Sequence, residues 1–291
     1  MNFIVFDLEW NSAQPGKAGI KENRPELPFE IIEIGAVKLS PELEPLAFFS
    51  ANVRPVVYKK INKYIARVTQ RDQESLMQGD PFSLVASDFA DFCGADAILA
   101  SWGQSDPEVL KQNLEFHHLE STFFTKALDL QVLFSHLAES GVKSQQRSIE
   151  YALEFLRIDA DLSFHNALND ARYAGRILNA LLLDVKTEAE RRDALRPFLY
   201  NPFLEREKRW QETVAAGSGP EAIIRGQEYK CPACGRVLNS TEPLVTTKKK
   251  KRWTWLLYCE QHGQLRCQIN RRRHEGKDVY HFRLTLPYPP L

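Results

Sequence analysis

The 291-residue sequence contains no apolar run close to the roughly 18–20 residues that a membrane helix needs, which excludes a membrane-spanning role. Its first ten residues include acidic side chains and no basic leader, which argues against a secretory signal. Cysteine is scarce: there are five, and four of them fall within the last 61 residues. In a chain without a signal, such clustering indicates metal ligation rather than disulfides. We therefore expect a soluble cytoplasmic protein with no membrane partner.

Net charge is also lacking, because 38 basic residues balance 38 acidic ones. The zero hides a division: residues 225–291 hold fourteen Lys and Arg but only five Asp and Glu. A basic segment attached to an acidic body predicts a polyanionic partner for that segment. The alternative is that the two parts only neutralise each other.

The pattern of apolar residues predicts an α/β fold. Residues 3–10, 31–39 and 47–53 have the composition of strands, and their short links indicate an antiparallel meander. Strands and helices then alternate, and a long amphipathic helix is expected from about residue 167 to 183. The other predicted elements are helices at 82–92, 107–119, 128–139 and 148–156, and a strand at 97–102.

The composition predicts three regions along the chain. Residues 1–185 form the α/β domain, and residues 186–224 are a charged, helix-prone connector. The connector contains AAGSGP (residues 215–220), the strongest linker signal in the sequence. After it the composition changes to cysteine, lysine, arginine and tryptophan, so residues 225–291 are interpreted as a separate basic module.

Two acids, Asp7 and Glu9, interrupt the first apolar strand. Residues two apart on a strand project from the same face. Burying two carboxylates among apolar residues is costly unless a cation neutralises them, and Mg²⁺ prefers such oxygen ligands. The alternative is that the acids lie at a hydrated end of the strand, paired with Lys or Arg.

Three further residues are candidates for chemistry. If the long helix begins just after His165, the histidine reaches back from the loop while Asp170 projects from the first turn. That arrangement suits a general base beside a metal ligand. The alternative is an acid favoured by the helix dipole next to an exposed histidine. Asp106, followed by Pro and Glu, is by itself typical of a helix N-cap.

Taken together, these residues resemble the DEDDh exonucleases of the RNase T and polymerase-proofreading superfamily, which have a ribonuclease-H-like fold. The likeness consists of Asp-x-Glu on the first strand, an Asp after a Ser-Trp-Gly strand end, and His-x4-Asp at a late helix start. The segments IVFDLEW, EIIEIGAVKL and SIEYAL look closest to the histone-mRNA exonuclease branch. The match covers roughly residues 1–183. Residues 68–72 (VTQRD) depart from a threonine-glycine-isoleucine stretch that contacts the substrate end in relatives.

The resemblance implies a 3′→5′ exonuclease domain in residues 1–185 that uses two Mg²⁺ or Mn²⁺ ions. Asp7, Glu9 and Asp170 would hold the first ion. Asp7 would bridge to a second ion supported by Asp106, and His165 would deprotonate the attacking water. The implied products are 5′-mononucleotides from single-stranded RNA or DNA. The alternative is a non-catalytic nucleic-acid-binding protein.

The C-terminal cysteines have metal-ligand spacing. Cys231-x2-Cys234 and, twenty-four residues later, Cys259-x2-His262 resemble the two knuckles of a zinc ribbon. Four such ligands predict a structural Zn²⁺, with Cys267 as an alternative fourth ligand. Free thiols are the other interpretation.

Basic residues and tryptophans lie between and after the knuckles. Cations on phosphates and rings on bases suit single-stranded nucleic acid, and Trp253 and Trp255 share one face if the segment is a strand. The alternatives are a solvated hairpin with the tryptophans in a small core, and a module that binds a protein partner. The predicted nucleic-acid contacts are Lys248, Lys249, Lys250, Lys251, Arg252, Trp253, Trp255, Arg271, Arg272 and Arg273.

Overall fold

The chain folds into two units in a computed structural model. The units are Met1–Pro202 and Phe203–Leu291. Among the helices described, none is long and apolar enough to cross a membrane. Lys248, Lys249 and Lys250, which were predicted to contact nucleic acid, lie outside the described residues. The structure describes residues 2–13, 24–139, 146–204, 207–215, 220–240, 242–247 and 251–286.

A six-stranded mixed sheet forms the centre of the first unit. Its strands are β1 (Asn2–Asn11), β2 (Glu30–Leu39), β3 (Pro45–Asn52), β4 (Ala97–Ser101), β5 (Ala127–Asp129) and β6 (Leu199–Tyr200). They are ordered β3-β2-β1-β4-β5-β6. The strands β1, β2 and β3 form the predicted antiparallel meander, whereas β4 and β5 run parallel to β1. The predicted α/β class is confirmed.

Helices pack against this sheet. The long helix α7 (Ala167–Leu181) lies against β1 and β2, and it buries Ala174, Ile177 and Leu178 in the core. Its observed start agrees with the sequence prediction, and two short helices near residues 63–77 were not predicted. The helices are α1 (Lys63–Thr69), α2 (Gln73–Met77), α3 (Phe82–Cys93), α4 (Ser105–Phe116), α5 (Leu130–Leu137), α6 (Ile149–Leu156), α7 (Ala167–Leu181) and α8 (Glu188–Leu195), followed by the 3₁₀ turn Arg196–Phe198.

The described part of the second unit contains a five-stranded antiparallel sheet and the short helix α9 (Pro220–Arg225). Alternate side chains of the sheet face a compact aromatic core that includes Trp255, Tyr280 and Phe282. A small β module of this kind, carrying a Cys and His cluster, fits the predicted zinc ribbon. The strands are β7 (Glu207–Ala215), β8 (Val245–Thr246), β9 (Arg252–Cys259), β10 (Gly263–His274) and β11 (Lys277–Thr285), in the order β7-β11-β10-β9-β8.

The division between the units precedes the predicted module boundary at residue 225. Strand β7 falls inside the predicted connector, yet it pairs with β11 along its whole length. Its sequence, EKRWQETVA, hides the strand because only Trp210 and Val214 pack against the core. Charged residues are common on such an edge strand, where they prevent pairing with other chains.

Candidate active site and metal centres

Three carboxylates converge in the first unit. Asp7 and Glu9 project from the same face of β1, and Asp170 approaches from the first turn of α7. One ligand oxygen from each of the three lies within 4.8 Å of the others. The proximity predicted from their order in the sequence is therefore present.

The start of α7 fixes Asp170 and His165. Asn166 caps the helix, and its side-chain oxygen accepts a hydrogen bond from the Asn169 N–H at 3.1 Å. The backbone N–H of His165 donates to Asp170 Oδ2 at 3.0 Å. His165 has a φ of 60°, which a non-glycine residue rarely adopts. The exposed imidazole thus belongs to a turn that is tied to a neighbouring carboxylate.

Close packing of α7 on the sheet depends on Gly35, which lies opposite Asp7 on β2. A Cβ atom at this position would be 2.0 Å from the backbone nitrogen of Leu168. The missing side chain lets the N-terminus of α7 approach the strand that carries Asp7. Sequence reasoning did not identify Gly35, although a glycine inside a strand signals a close backbone approach.

We expect Gly35→Ala to reduce turnover by about 10²-fold, because a displacement of about 1 Å is enough to disorganise catalytic groups. Stability should also fall, by about 1–3 kcal/mol, because the added methyl group meets backbone. Steady-state kinetics and thermal unfolding measure the two effects. Gly175→Ala is the matched control, since its Cβ would meet the side-chain atom Val37 Cγ1 at 3.2 Å, farther along the same helix. Equal losses of turnover in both variants would contradict this role for Gly35.

Asp106 reaches the other edge of β1. Strand β4 pairs with β1 only as far as Val5, so the backbone of Leu8 is free to bond elsewhere on that side. The Leu8 N–H donates to Asp106 Oδ1 at 3.1 Å. Asp106 lies in the first turn of α4, and the N-cap is Gln104, so the N-cap interpretation of Asp106 is wrong. The carboxylate lies beside Asp7 and Glu9 but outside the set of three that share 4.8 Å.

The electrostatic state of the site follows from burial and crowding. Burial, with the neighbouring carboxylates, raises the pKa of Glu9 to about 8 and that of Asp7 well above its usual range. Burial also raises the pKa of Asp106 to about 7 and that of Asp170 to about 6. Four acids that resist ionisation in one place form an arrangement that bound cations would stabilise.

The residues fit a divalent metal ion. Asp170 Oδ1 is buried and has no hydrogen-bond partner in the described structure. Within the same described residues, no Lys or Arg forms an ion pair with Asp7, Glu9 or Asp170. Carboxylate oxygens are the ligands that Mg²⁺ and Mn²⁺ prefer. The alternative of acids paired with basic residues does not describe this cluster.

Glu33 and Arg71 form an ion pair next to the carboxylate cluster. Arg71 Nη2 lies 2.7 Å from Glu33 Oε2, and Asn166 Nδ2 donates to Glu33 Oε1 at 3.2 Å. Glu33 thereby links the α7 cap to Arg71, and its register places it opposite Glu9. Arg71 belongs to the segment that departs from the family pattern. The partners of Glu33 could not be predicted from local patterns, because Arg71 and Asn166 are far from it in the chain.

The predicted zinc ligands also converge. Cys231, Cys234, Cys259 and His262 each offer a ligand atom within 4.8 Å of the others. The Cys234 and Cys259 sulfurs are 3.6 Å apart, and His262 Nδ1 lies 3.6 Å from Cys231 Sγ and 3.7 Å from Cys259 Sγ. A tetrahedron with Zn–S bonds of about 2.3 Å has edges of about 3.8 Å. The spacing therefore suits a four-coordinate ion.

The alternative fourth ligand, Cys267, is placed elsewhere. It lies on β10 with its side chain fully buried in the core of the second unit, next to Trp255 in the strand register. Burial raises the pKa of its thiol to about 12. Cys267 acts as a small core residue, and His262 is the fourth member of the cluster.

The tryptophans predicted to stack on bases face the core. Trp253 is 3% exposed and Trp255 is 8% exposed, and the Trp255 indole donates to the Glu242 carbonyl oxygen. The prediction of a stacking platform is wrong at both positions, because the shared face of β9 is the buried one. Lys251, Arg252, Arg272 and Arg273 are exposed, and Arg271 is partly buried.

Comparisons with known proteins agree with this geometry. The RNase T exonuclease family model matches residues 4–178, and the chain belongs to this family. A Bacillus subtilis (strain 168) protein, the probable 3′-5′ exonuclease KapD, is 30% identical over 110 residues. That match covers 37% of this chain and 52% of the relative, so the chain aligns with about half the length of the curated protein.

Solved structures show the same fold. The nuclease domain of 3′hExo, a DEDDh family member bound to rAMP, is 22% identical with a TM-score of 0.55, covering 64% of this chain and 94% of that chain. A 3′-exonuclease in 3′-end-specific recognition of the histone mRNA stem-loop is 21% identical with a TM-score of 0.55, covering 64% and 83%. Escherichia coli exonuclease I in complex with a dA16 oligonucleotide is 11% identical with a TM-score of 0.53, covering 92% and 54%. The predicted resemblance to DEDDh exonucleases is confirmed.

Proposed function

We propose that this protein is a divalent-metal-dependent 3′→5′ exonuclease that releases 5′-mononucleotides from single-stranded RNA or DNA. The observation that carries the proposal is the cluster of two half-buried carboxylates and the buried Asp170, whose Oδ1 atom has no hydrogen-bond partner among the described residues. Membership of the RNase T exonuclease family supports the reaction class. The cytoplasmic location stays a prediction from the sequence.

Each acid has a defined part in the proposal. Asp7, Glu9 and Asp170 would hold one metal ion, and Asp106 together with Asp7 would hold a second. The hydrogen bond from Leu8 fixes the Asp106 carboxylate beside β1. When bound, the two ions supply positive charge to the scissile phosphate and make water a better nucleophile.

His165 is the proposed general base. Its backbone is held by Asp170, while its ring is exposed at the entrance to α7. A neutral imidazole nitrogen can accept a proton, and a base must lie within hydrogen-bond reach of the water that it deprotonates. The tether between His165 and Asp170 keeps the base next to a metal ligand, so that proton removal and phosphate binding occur at one place.

The Cys and His cluster of the second unit is proposed to hold a structural Zn²⁺. Four protein ligands leave no open coordination position, which is characteristic of structural rather than catalytic zinc. The second unit is proposed to help bind nucleic acid, and its basic composition supports that role.

The direction of hydrolysis distinguishes this proposal from other nuclease activities. Single-stranded 20-mers of RNA and DNA are labelled at either end and incubated with Mg²⁺ or Mn²⁺. A 3′ label should appear at once as a mononucleotide, whereas a 5′ label should give a ladder that shortens with time. Omission of divalent metal should stop both reactions. Internal fragments at early times, or mononucleotides released first from a 5′ label, would overturn the proposal.

A further inference from the structure

The sheet of the second unit has one buried face and one exposed face. Trp253, Ile269 and Phe282 point into the core, each from a different strand. Because side chains alternate along a strand, the residues on either side of each of them point outward. Five outward positions on β7, β9, β10 and β11 are arginines, and we call this surface the outer face. The five are Arg209, Arg252, Arg266, Arg272 and Arg283.

The outer face is strongly basic. Among its described positions on these four strands, Glu207 is the acid and Lys277 is the lysine. Arg209 and Arg283 are direct cross-strand partners, a pairing of like charges that destabilises a sheet. Glu207 binds the Nε atoms of both arginines. Glu207 thus holds the two guanidinium groups on one carboxylate, and among the described residues their Nη atoms make no hydrogen bond with the protein.

Two adjoining depressions follow these arginines. The larger, of about 510 Å³, is lined by side chains that include Arg209, Arg272 and Arg283. The smaller, of about 260 Å³, is lined by Lys251, Arg252, Asn270, Arg271 and Arg272. Asn270 and Arg272 line both, so the depressions are neighbours, and we call the pair the arginine groove.

The chemistry of the groove selects its ligand. The planar fork of an arginine binds two phosphate oxygens at once, and it matches phosphates better than the compact lysine ammonium does. The indoles of Trp253 and Trp255 are buried in the core. Trp210 lines the larger depression, and its ring is stacked on Phe282 with the ring centroids 4.9 Å apart. The arginines of the groove therefore offer contacts to a phosphodiester backbone.

We propose that the outer face of the second unit binds the backbone of single-stranded nucleic acid through its arginine groove, independently of base sequence. This inference rests on the proposed function only for the class of ligand, because the groove and the carboxylate cluster share no residue. Of the nucleic-acid contacts expected from the sequence, the groove keeps Lys251, Arg252, Arg271 and Arg272. It leaves out Arg273 and the two tryptophans of β9, and it adds Arg209 and Arg283.

Binding of a 5′-fluorescein-labelled 20-mer of oligo(dT) or oligo(U) tests the inference. Fluorescence anisotropy is measured with the full-length protein at about 50–200 mM NaCl, without added divalent metal. Each phosphate contact on a single strand contributes about 0.7 to the slope of log K against log salt. We expect Arg272→Gln combined with Arg283→Gln to weaken binding about 10-fold or more and to reduce that slope by about 1.4.

The matched control removes two exposed arginines that lie off the outer face. Arg273 is next to Arg272 but points to the other side of β10, and Arg236 lies near the first zinc knuckle. Arg236→Gln combined with Arg273→Gln should change Kd less than about 2-fold, with the zinc content unchanged in both double variants. Equal weakening by the two pairs would mean diffuse charge attraction and would overturn the inference, as would a wild-type protein that binds neither oligomer.

Hydrolysis is measured separately on the same oligomers with Mg²⁺. A protein that binds through the outer face but hydrolyses nothing would overturn the proposed exonuclease function and leave the groove assignment standing. A protein that hydrolyses the oligomers, yet binds equally well after loss of Arg272 and Arg283, would overturn the groove assignment alone.

Discussion

Asp7→Asn is expected to reduce turnover by at least about 10³-fold, which corresponds to about 4 kcal/mol of transition-state stabilisation. Asp7 lies in the carboxylate cluster with Glu9 and Asp170, and in the proposal it faces both metal ions. An amide preserves the shape of the side chain but removes the negative charge that holds a divalent cation. The turnover number on a 3′-labelled oligonucleotide with saturating Mg²⁺ measures the loss.

The same substitution should stabilise the metal-free protein above neutral pH. The folded site holds protons up to about pH 8 at Glu9 and about pH 6 at Asp170, whereas the same groups in the unfolded chain release them near pH 4. Between these limits the folded protein binds more protons than the unfolded one, so its stability falls as the pH rises. Asp7→Asn removes one of the crowded charges. Without metal, the unfolding temperature of Asp7→Asn should therefore exceed that of the wild type, and the difference should grow between about pH 5 and about pH 8.

Asp96→Asn provides the control, because it removes the same charge from an exposed carboxylate that pairs with Lys126. It should retain full turnover and show no rising margin of stability with pH. Added Mg²⁺ should stabilise the wild type and the control variant more than Asp7→Asn. An Asp7→Asn protein with wild-type turnover would refute the catalytic assignment, whatever its stability.

The sequence predicted the acidic site better than any single residue justified. Read alone, Asp106 indicated a helix cap, and His165 was consistent with an exposed loop residue. Their order, together with Asp7 and Glu9 on one strand, carried the resemblance to the DEDDh exonucleases. The structure adds the physical reason why Asp106 joins the other acids. Strand β4 pairs with β1 only as far as Val5, so the backbone N–H of Leu8 can donate to Asp106.

Other parts of the site could not be predicted from local patterns. The contact of Gly35 with α7 and the pairing of Glu33 with Arg71 join segments that are distant in the chain. Strand periodicity correctly placed Trp253 and Trp255 on one face, but periodicity does not say which face is buried. That choice depends on the packing of the whole second unit, and its aromatic core takes both rings.

Strand β7 shows a related limit. Its charged sequence resembled a helical connector because an edge strand needs few apolar residues, and only Trp210 and Val214 signal its buried side. Pairing with β11 brings Arg209 beside Arg283, and this contact completes the outer face. The arginine groove therefore became visible only when the register of the sheet was known.

Cys259→Ser should abolish zinc binding and unfold the second unit. Cys259 lies between Cys234 and His262 in the cluster, and a serine hydroxyl is a poor substitute for a thiolate. Structural zinc contributes about 10–16 kcal/mol of binding free energy in small modules, comparable with the whole stability of a domain. Metal analysis should fall from about one zinc per chain to below about 0.1. Limited proteolysis should then cleave within the unfolded second unit and leave a fragment that ends near Pro202.

Cys267→Ala separates loss of zinc from loss of packing. The Cys267 thiol lies in the core, so this variant should keep about one zinc per chain. It should lose about 1–2 kcal/mol of stability through the cavity that the substitution creates. His262→Ala should behave like Cys259→Ser, with reduced zinc and rapid proteolysis of the second unit. If Cys267→Ala lost zinc while His262→Ala retained it, the fourth ligand would be Cys267. A tetrahedral ion cannot lose a thiolate ligand without a measurable change in affinity. Full zinc occupancy and full protease resistance in Cys259→Ser would therefore show that these four side chains are not the ligands of the zinc.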